Sequence, residues 1–128
     1  MLTVRLDSAT PLTEQVFLGI RRGIAAGTLT PGDELPTVRQ LAADLGINLN
    51  TVARAYRLLE QAGLVSSQRG RGTRVTASAE VVRGSAKEAR QRVAAGLRDA
   101  LADAKLAGLE RRDIDELLGR LVGEYWQT

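Results

Sequence analysis

A chain of 128 residues, of which 44% are hydrophobic and 26% charged, can hold one ordinary domain or a small domain with an appendage. It contains no cysteine and no histidine, which excludes disulfides, thiolate catalysis and zinc-finger sites, so we expect neither a cofactor nor a bound metal. No apolar run is long enough to cross a bilayer and no charged-then-apolar leader is present, so we expect a cytoplasmic protein without a membrane anchor.

The first segment predicts a short extended arm or strand and then an amphipathic helix that ends near Gly27. Apolar side chains recur every four residues along this helix, at Leu12, Val16, Ile20 and Ile24. Pro11 suits the start of the helix, and Thr10 is placed to cap it. A polar turn at residues 30–33 follows, and residues 34–35 can add a minimal strand.

Two short helices joined by a tight turn are predicted between residues 37 and 62. Thr37 and Asn48 can cap them because their side-chain oxygens accept bonds from free backbone N–H groups, and Gly46 is suited to end the first. On the second helix one stripe is apolar, formed by Val52, Ala55, Leu59 and Ala62. The opposite stripe carries Asn50, Arg54, Arg57 and Gln61, with Thr51 beside Arg54. Amide, hydroxyl and guanidinium groups can hydrogen-bond base edges and phosphates, so the pattern predicts a helix-turn-helix whose second helix reads DNA.

A basic β-hairpin is predicted next. Two short strands, at 65–68 and 73–76, flank the turn sequence RGRG at residues 69–72. Glycine lets a backbone approach a surface closely, and arginine is attracted by the negative potential of a narrow minor groove. This favours a DNA-contacting wing; the alternative is a solvated hairpin whose charges only maintain solubility.

The net charge of +3 is unevenly distributed. Residues 1–75 carry nine arginines against six acidic residues, whereas residues 76–128 carry nine basic and nine acidic residues, so the whole excess lies in the first segment. Phosphate attraction works through such local clusters, and arginine suits bidentate recognition better than lysine does. Arg39 lies in the first turn of its helix, where backbone N–H groups can also hold a phosphate, so we expect it to contact DNA.

The C-terminal segment predicts a connector at 77–85 and two amphipathic helices within 86–128. The apolar stripe of the first comprises Ala89, Val93, Leu97, Leu101 and Ala104. The second, from about Asp113, carries Ile114, Leu117, Leu118, Leu121, Val122 and Tyr125 on one side, with Trp126 near its end. Two helices joined by a short loop form an αα-hairpin, which cannot cover both stripes, and each large side chain left in water forgoes about 1.5–3 kcal/mol. A symmetric dimer would bury them; the alternative is that the tail packs back on residues 1–76.

The stretch PGDELPTVRQLAADLGINLNTVARAYRLLEQAGLV, with the hairpin RGRGT, closely resembles the winged helix-turn-helix domain of GntR-type bacterial transcription regulators. The resemblance covers residues 11–75, just over half the chain, and the short two-helix tail resembles the YtrA-like subfamily. It implies a mainly α fold with a small β-hairpin wing: a DNA-binding domain at 1–76, a connector at 77–85 and a helical dimerisation tail at 86–128. It also implies a regulator rather than an enzyme.

The resemblance assigns major-groove and phosphate contacts to Arg39, Asn50, Thr51 and Arg54, and the minor-groove wing tip to Arg69, Gly70 and Arg71. Together with the residues chosen above, the candidate DNA-binding set is Thr37, Arg39, Asn48, Asn50, Thr51, Arg54, Arg57, Arg69, Gly70, Arg71 and Thr73. The candidate dimerisation set is Val93, Leu97, Leu101, Ala104, Ile114, Leu117, Leu118, Leu121, Val122, Tyr125 and Trp126. Relatives often carry Arg or Pro before the Asn-Thr pair, whereas this chain has Leu49, which can pack against a thymine methyl.

Regulators of this branch are usually homodimeric repressors of nearby operons, often for membrane transporters, and bind inverted repeats. A small-molecule effector is possible, but the sequence carries no ligand fingerprint. Two other classes of function stay open at this point. A winged helix can serve as an architectural or protein-interaction module. An enzyme would need paired carboxylates, a lysine, or a metal held by Asp and Glu. The acidic residues Asp113, Asp115 and Glu116 are better explained as partners of a helix dipole.

Overall fold

The computed structural model describes residues 2–70, 72–76 and 86–126. The helices are α1 (Leu12–Ala26), α2 (Val38–Leu45), α3 (Leu49–Gln61), α4 (Ala86–Leu106) and α5 (Arg111–Tyr125), and the strands are β1 (Val65–Gln68) and β2 (Gly72–Val75). This arrangement confirms the mainly α fold with a small β-hairpin. Contacts divide the chain into two compact units, Met1–Val82 and Arg83–Thr128. The predicted connector, 77–85, lies outside the described residues.

Helix α1 forms as its four-residue apolar repeat predicts, and it buries Val16 and Ile20. It ends at Gly27, whose φ of 82° is the left-handed conformation that glycine adopts at low cost. The predicted cap at Thr10 is wrong. Pro11 itself occupies the N-cap position, and the Thr10 carbonyl instead accepts a hydrogen bond from Gln15 Nε2 at 2.8 Å.

The core of the N-terminal unit lies between α1, α2, α3 and the hairpin. Helix α3 contributes four buried side chains to it, Val52, Ala55, Tyr56 and Leu59. The predicted burial of Ala62 is wrong, because α3 ends at Gln61 and Ala62 is its exposed C-cap. The N-terminal arm forms no strand, but Leu2 and Val4 pack against the same core.

The hairpin strands pair antiparallel, with Val65 opposite Val75 and Gln68 opposite Gly72. Strand β1 spans the predicted residues, and β2 begins one residue earlier than predicted. The short segment before α2 pairs with the other edge of β2: the Leu35 N–H donates to the Thr73 carbonyl at 2.8 Å, and Glu34 forms an isolated bridge with Arg74. The minimal strand predicted at 34–35 is therefore present as this bridge, and it ties the wing to the turn before α2.

In the C-terminal unit a tight turn at 107–110 joins α4 and α5. Gly108 has a φ of 84°, and the Leu109 N–H donates to the Ala104 carbonyl at 3.0 Å. Helix α5 begins at Arg111, two residues before the predicted start, because Asp113 Oδ2 accepts from the Glu110 N–H at 2.8 Å and so fixes the first turn. Along the described residues of α4 and α5, the two helices do not pack against each other as α1 packs against α3.

Candidate nucleic-acid interface

The turn between α2 and α3 is fixed by capping side chains at both helix starts. Gln40 N–H donates to Thr37 Oγ1 at 3.1 Å, and the Thr37 N–H donates back to Gln40 Oε1 at 2.9 Å, which completes a capping box. The Asn50 N–H donates to Asn48 Oδ1 at 2.7 Å. Gly46 ends α2 with a φ of 68°. The predicted caps and stop are thus confirmed, and they set the geometry of the helix-turn-helix.

A buried tyrosine of α3 is hydrogen-bonded to the segment that precedes α2. Tyr56 is 5% exposed, and its O–H donates to the Pro36 carbonyl at 2.7 Å. Burial raises the pKa of Tyr56 from 10.0 to about 12, because the phenolate would lose its hydration. In the sequence, Tyr56 was noted only as part of the family motif. Its position one turn after Val52 was the signal that it joins the apolar stripe.

One face of α3, which we call the reading face, carries Asn50, Arg54 and Arg57, all of them exposed. Thr51 lies at its edge and is half-buried. Arg39, in the first turn of α2, is also exposed. Within the described part of the chain, none of these three arginines forms an ion pair. Their guanidinium donors are therefore free to bind phosphates or base edges.

Thr37 and Asn48, which were predicted to bind DNA, have their side-chain oxygens engaged in the helix caps. Both residues are exposed, and the threonine O–H and the asparagine NH₂ can still donate. Their observed role is to order the starts of α2 and α3. Whether they also contact DNA stays a prediction.

The wing tip holds Arg69 and Gly70, both exposed. Gly70 and Gly72 have φ values of 82° and 72°, conformations that other residues adopt only with strain. Arg71, the second predicted wing arginine, lies outside the described residues. Thr73 is set back from the tip, and its hydroxyl lies 2.9 Å from Ser67 Oγ across the hairpin.

Two long-range contacts fix the wing relative to the helices, and sequence analysis found neither. At the end of α3, Glu60 Oε1 accepts from the Ser67 N–H of β1 at 3.3 Å. On the other strand Arg74 donates to the Gly32 carbonyl at 3.1 Å and lies 3.7 Å from the Glu34 carboxylate. Only the pairing of residues 34–35 with β2 brings Arg74 to Glu34, so no local signal could have revealed it.

Two leucines of α3 are left partly in water. Leu49, the first residue of the helix, is 39% exposed, and Leu58 is exposed further along. The sequence singled out Leu49 as a departure from the usual family pattern, and the structure places it beside the N-cap Asn48, at the end of α3 from which recognition helices contact bases.

Comparison with known proteins identifies this arrangement. The sequence pattern of bacterial regulatory proteins of the gntR family matches residues 12–75, the span from α1 through the wing. The chain belongs to the GntR family. Members of this family are helix-turn-helix transcription regulators, so the chain is a DNA-binding regulator and not an enzyme.

Relatives with full-length likeness place it among the YtrA-like members of the GntR family. The transcriptional repressor YtrA of Bacillus subtilis strain 168 is 34% identical over 126 residues, which are 97% of this chain and 94% of the relative. The structure of YtrA from Sulfolobus acidocaldarius, a GntR-family transcription factor, is 34% identical, covers 79% of this chain and 97% of its own, and has a TM-score of 0.62.

A third relative was solved with DNA bound. The DNA-binding domain of AraR, in complex with its operator ORX1, is 30% identical, covers 59% of this chain and 93% of its own, and has a TM-score of 0.52. This likeness spans little more than the GntR domain.

The candidate dimerisation residues lie on α4 and α5 or directly after them. Ala104, Ile114 and Leu117 are half-buried, and the rest of the set is exposed in a single chain. Of the thirteen large hydrophobic side chains that are exposed in the described residues, ten lie between Val93 and Trp126. Among all the helices that the structure describes, none could form a transmembrane span.

Proposed function

We propose that this GntR-family regulator is a homodimer that represses a nearby operon by binding an inverted repeat. The observation that carries the proposal is the reading face of α3, where Asn50, Arg54 and Arg57 are exposed and the two guanidinium groups are not engaged in ion pairs with the described residues. The cap at Asn48 and the bond from Tyr56 to Pro36 fix the helix that bears this face.

Each of the three segments predicted from the sequence has one proposed role. Residues 1–76 bind DNA, residues 77–85 connect, and residues 86–128 form the dimer. Ten of the thirteen exposed large hydrophobic side chains of the described residues lie in the tail, and monomers rarely expose large apolar patches. A two-fold pair would cover the same surface twice and present two reading faces to a palindromic site.

The direction of regulation and the target operon are inferred from the similarity of this chain to its relatives. The Bacillus subtilis relative is a repressor by name, so we infer repression here. A transporter operon, a small-molecule effector and a cytoplasmic location remain predictions from the family resemblance.

The decisive experiment is the selection of genomic fragments by the purified full-length protein, followed by titration of the selected operator and of random DNA across salt concentrations. Affinity should fall steeply with salt, because each neutralised phosphate releases a counterion. Arg54→Ala should weaken operator binding by about 1–3 kcal/mol and random-DNA binding by much less.

Arg21→Ala is the matched control, since Arg21 is an exposed arginine on a different helix, α1. It should change both affinities little and equally. Equal losses for Arg54→Ala on operator and random DNA would contradict the assigned role of Arg54. Failure to select any preferred sequence would instead favour an architectural module.

A further inference from the structure

A cavity of about 580 Å³ opens at the turn between α4 and α5. Leu101, Leu109 and Ile114 give it an apolar wall, and its charged lining residues are Lys105, Glu110 and Arg111. Arg111 also lies 3.6 Å from Asp115, but both side chains are largely exposed, so this pair holds the guanidinium only weakly. An apolar wall with cations beside it suits an aromatic group, because a cation is attracted to the face of an aromatic ring.

The same unit ends in an aromatic pair that is only partly covered. Tyr125, the last residue of α5, and Trp126 contact each other edge to face, with ring centroids 6.1 Å apart. Trp126 is 68% exposed and is the one tryptophan of the chain. Tyrosine and tryptophan are the side chains most enriched at the energetic centres of protein interfaces.

The aromatic pair cannot reach the cavity of its own chain. Helix α5 runs for 15 residues from Arg111 to Tyr125, so its two ends are about 21 Å apart at a rise of about 1.5 Å per residue. In a second copy the geometry differs. When two α5 helices pack antiparallel about a two-fold axis, the end of each lies beside the start of the other.

The apolar stripe of α5 supplies the contact that such a pairing needs. Leu118, Leu121 and Val122 are exposed between the two ends, and α4 does not pack along α5 to cover them. Antiparallel pairing would bury this stripe at its centre and bring each aromatic pair to the partner's cavity at its edges. Both cavities would then be filled by one symmetric contact.

We propose that Tyr125 and Trp126 of one protomer dock in the cavity between α4 and α5 of a second copy. The inference rests on the homodimer of the proposed function and specifies how its two protomers engage. Leu109 and Ile114 then contact the aromatic rings, and Arg111 lies against a ring face of the partner copy.

Trp126 fluorescence tests this directly, since this chain has no other tryptophan. Molecular mass by sedimentation equilibrium and Trp126 emission are measured over the same concentration series, with acrylamide as quencher. As the dimer forms, the emission should shift to shorter wavelength and quenching should fall several-fold. A dimer whose Trp126 remains as accessible as in the monomer overturns the docking and leaves the homodimer standing. A chain that stays monomeric overturns both.

Leu109→Glu, with Leu106→Glu as its matched control, separates docking from general damage to the tail. Leu106 directly precedes the turn and Leu109 lies in it, but Leu109 lines the cavity whereas Leu106, 87% exposed, does not. Leu109→Glu should raise the dimer dissociation constant about tenfold or more and return Trp126 to water. Leu106→Glu should change neither. Equal effects of the two variants contradict the proposal.

A second pair tests the cation. Arg111 lines the cavity, whereas Arg112 lies 3.1 Å from the Glu110 carboxylate and does not line it. Arg111→Gln should weaken the dimer about threefold and change the emission of Trp126, whereas Arg112→Gln should do neither. If a small molecule rather than the partner occupies the cavity, Leu109→Glu will leave dimerisation and Trp126 emission unchanged, which overturns the docking.

Discussion

The arginines of the N-terminal unit fall into two groups according to what their guanidinium groups contact. Arg74 is engaged by the Gly32 carbonyl and the Glu34 carboxylate, and Arg5 lies 3.6 Å from Asp7. Arg54 and Arg69 form no ion pair with the described residues. Because a paired guanidinium has some of its donors occupied, the count of nine arginines overstates the number that are available to DNA, and geometry decides which ones these are.

Leu49 gives a prediction about base preference. Its side chain is exposed at the start of α3, and contact with a thymine methyl would remove both apolar groups from water. Replacing the contacted thymine of the operator by uracil, which lacks only this methyl, should reduce affinity about fourfold, or about 0.8 kcal/mol. Binding is measured by titrating operators with one such replacement at a time.

The control for this prediction is a pair of variants. Leu49→Ala should abolish the effect of uracil at that position, whereas Leu58→Ala, which removes the other exposed leucine of α3, should retain it. If no uracil replacement distinguishes the original protein from Leu49→Ala, Leu49 does not read a thymine methyl.

Tyr56 predicts a loss of stability at alkaline pH. Burial holds its pKa near 12 in the folded chain, whereas the unfolded phenol ionises near 10. The folded state therefore retains the proton longer, and the free energy of unfolding should be constant below about pH 10 and fall by about 1–2 kcal/mol as the pH approaches 12. Urea denaturation at a series of pH values measures this fall.

Tyr56→Phe removes the titrating group and the bond to Pro36 together. At neutral pH the variant should be about 1 kcal/mol less stable, because the Pro36 carbonyl loses its donor. Its stability should then lack the additional alkaline fall. Parallel curves for the two proteins would show that Tyr56 does not titrate as its burial requires.

At the scale of elements, the wing is held in place from both sides. Strand β1 is tied to the end of α3 through Glu60 and Ser67, and β2 is tied to the segment before α2 through Arg74 and Glu34. A two-stranded hairpin is marginal alone, so these contacts determine where the wing tip lies relative to the reading face. The wing and α3 should therefore behave as one binding surface.

Glu60 tests that coupling. Glu60→Ala removes the acceptor for the Ser67 N–H, whereas Glu60→Gln removes the same charge but keeps an acceptor oxygen. Because both variants gain the same net charge, their difference reports the hydrogen bond alone. Glu60→Ala should bind the operator about threefold more weakly than Glu60→Gln, the effect of losing a modest hydrogen bond. Equal operator affinities for the two variants would mean that Glu60 does not position the wing.

At the scale of the whole molecule, the proposed symmetric dimer would present two reading faces and so impose a spacing on the DNA. Half-sites contacted from one side of the duplex lie about 10 base pairs, or one helical turn, apart or at multiples of this. Inserting five base pairs between the half-sites should lower affinity to that of one half-site, and inserting ten should restore part of it. Gel-shift titration of the three operators measures this, and equal binding to all three would contradict a rigid dimer.

The sequence by itself determined most of what depends on near neighbours along the chain, although the cap at Thr10 and the burial of Ala62 were predicted wrongly. The caps at Thr37 and Asn48, the stops at Gly27 and Gly46 and the strand at 65–68 follow from local hydrogen bonds and side-chain periodicity. The polar face of α3 follows from the helical repeat, and the resemblance to the family motif assigned that face to DNA binding.

Only the tertiary structure decided which groups meet across long stretches of chain. Arg74 bonds Gly32 from 42 residues away, and Tyr56 bonds Pro36 from 20 residues away. Such partners depend on how α1, α3 and the strands pack, and periodicity carries no information about that. The same holds for the tail. Its apolar stripes could be found in the sequence. Only the structure shows that the described parts of α4 and α5 do not pack closely, so that those stripes and a cavity stay open.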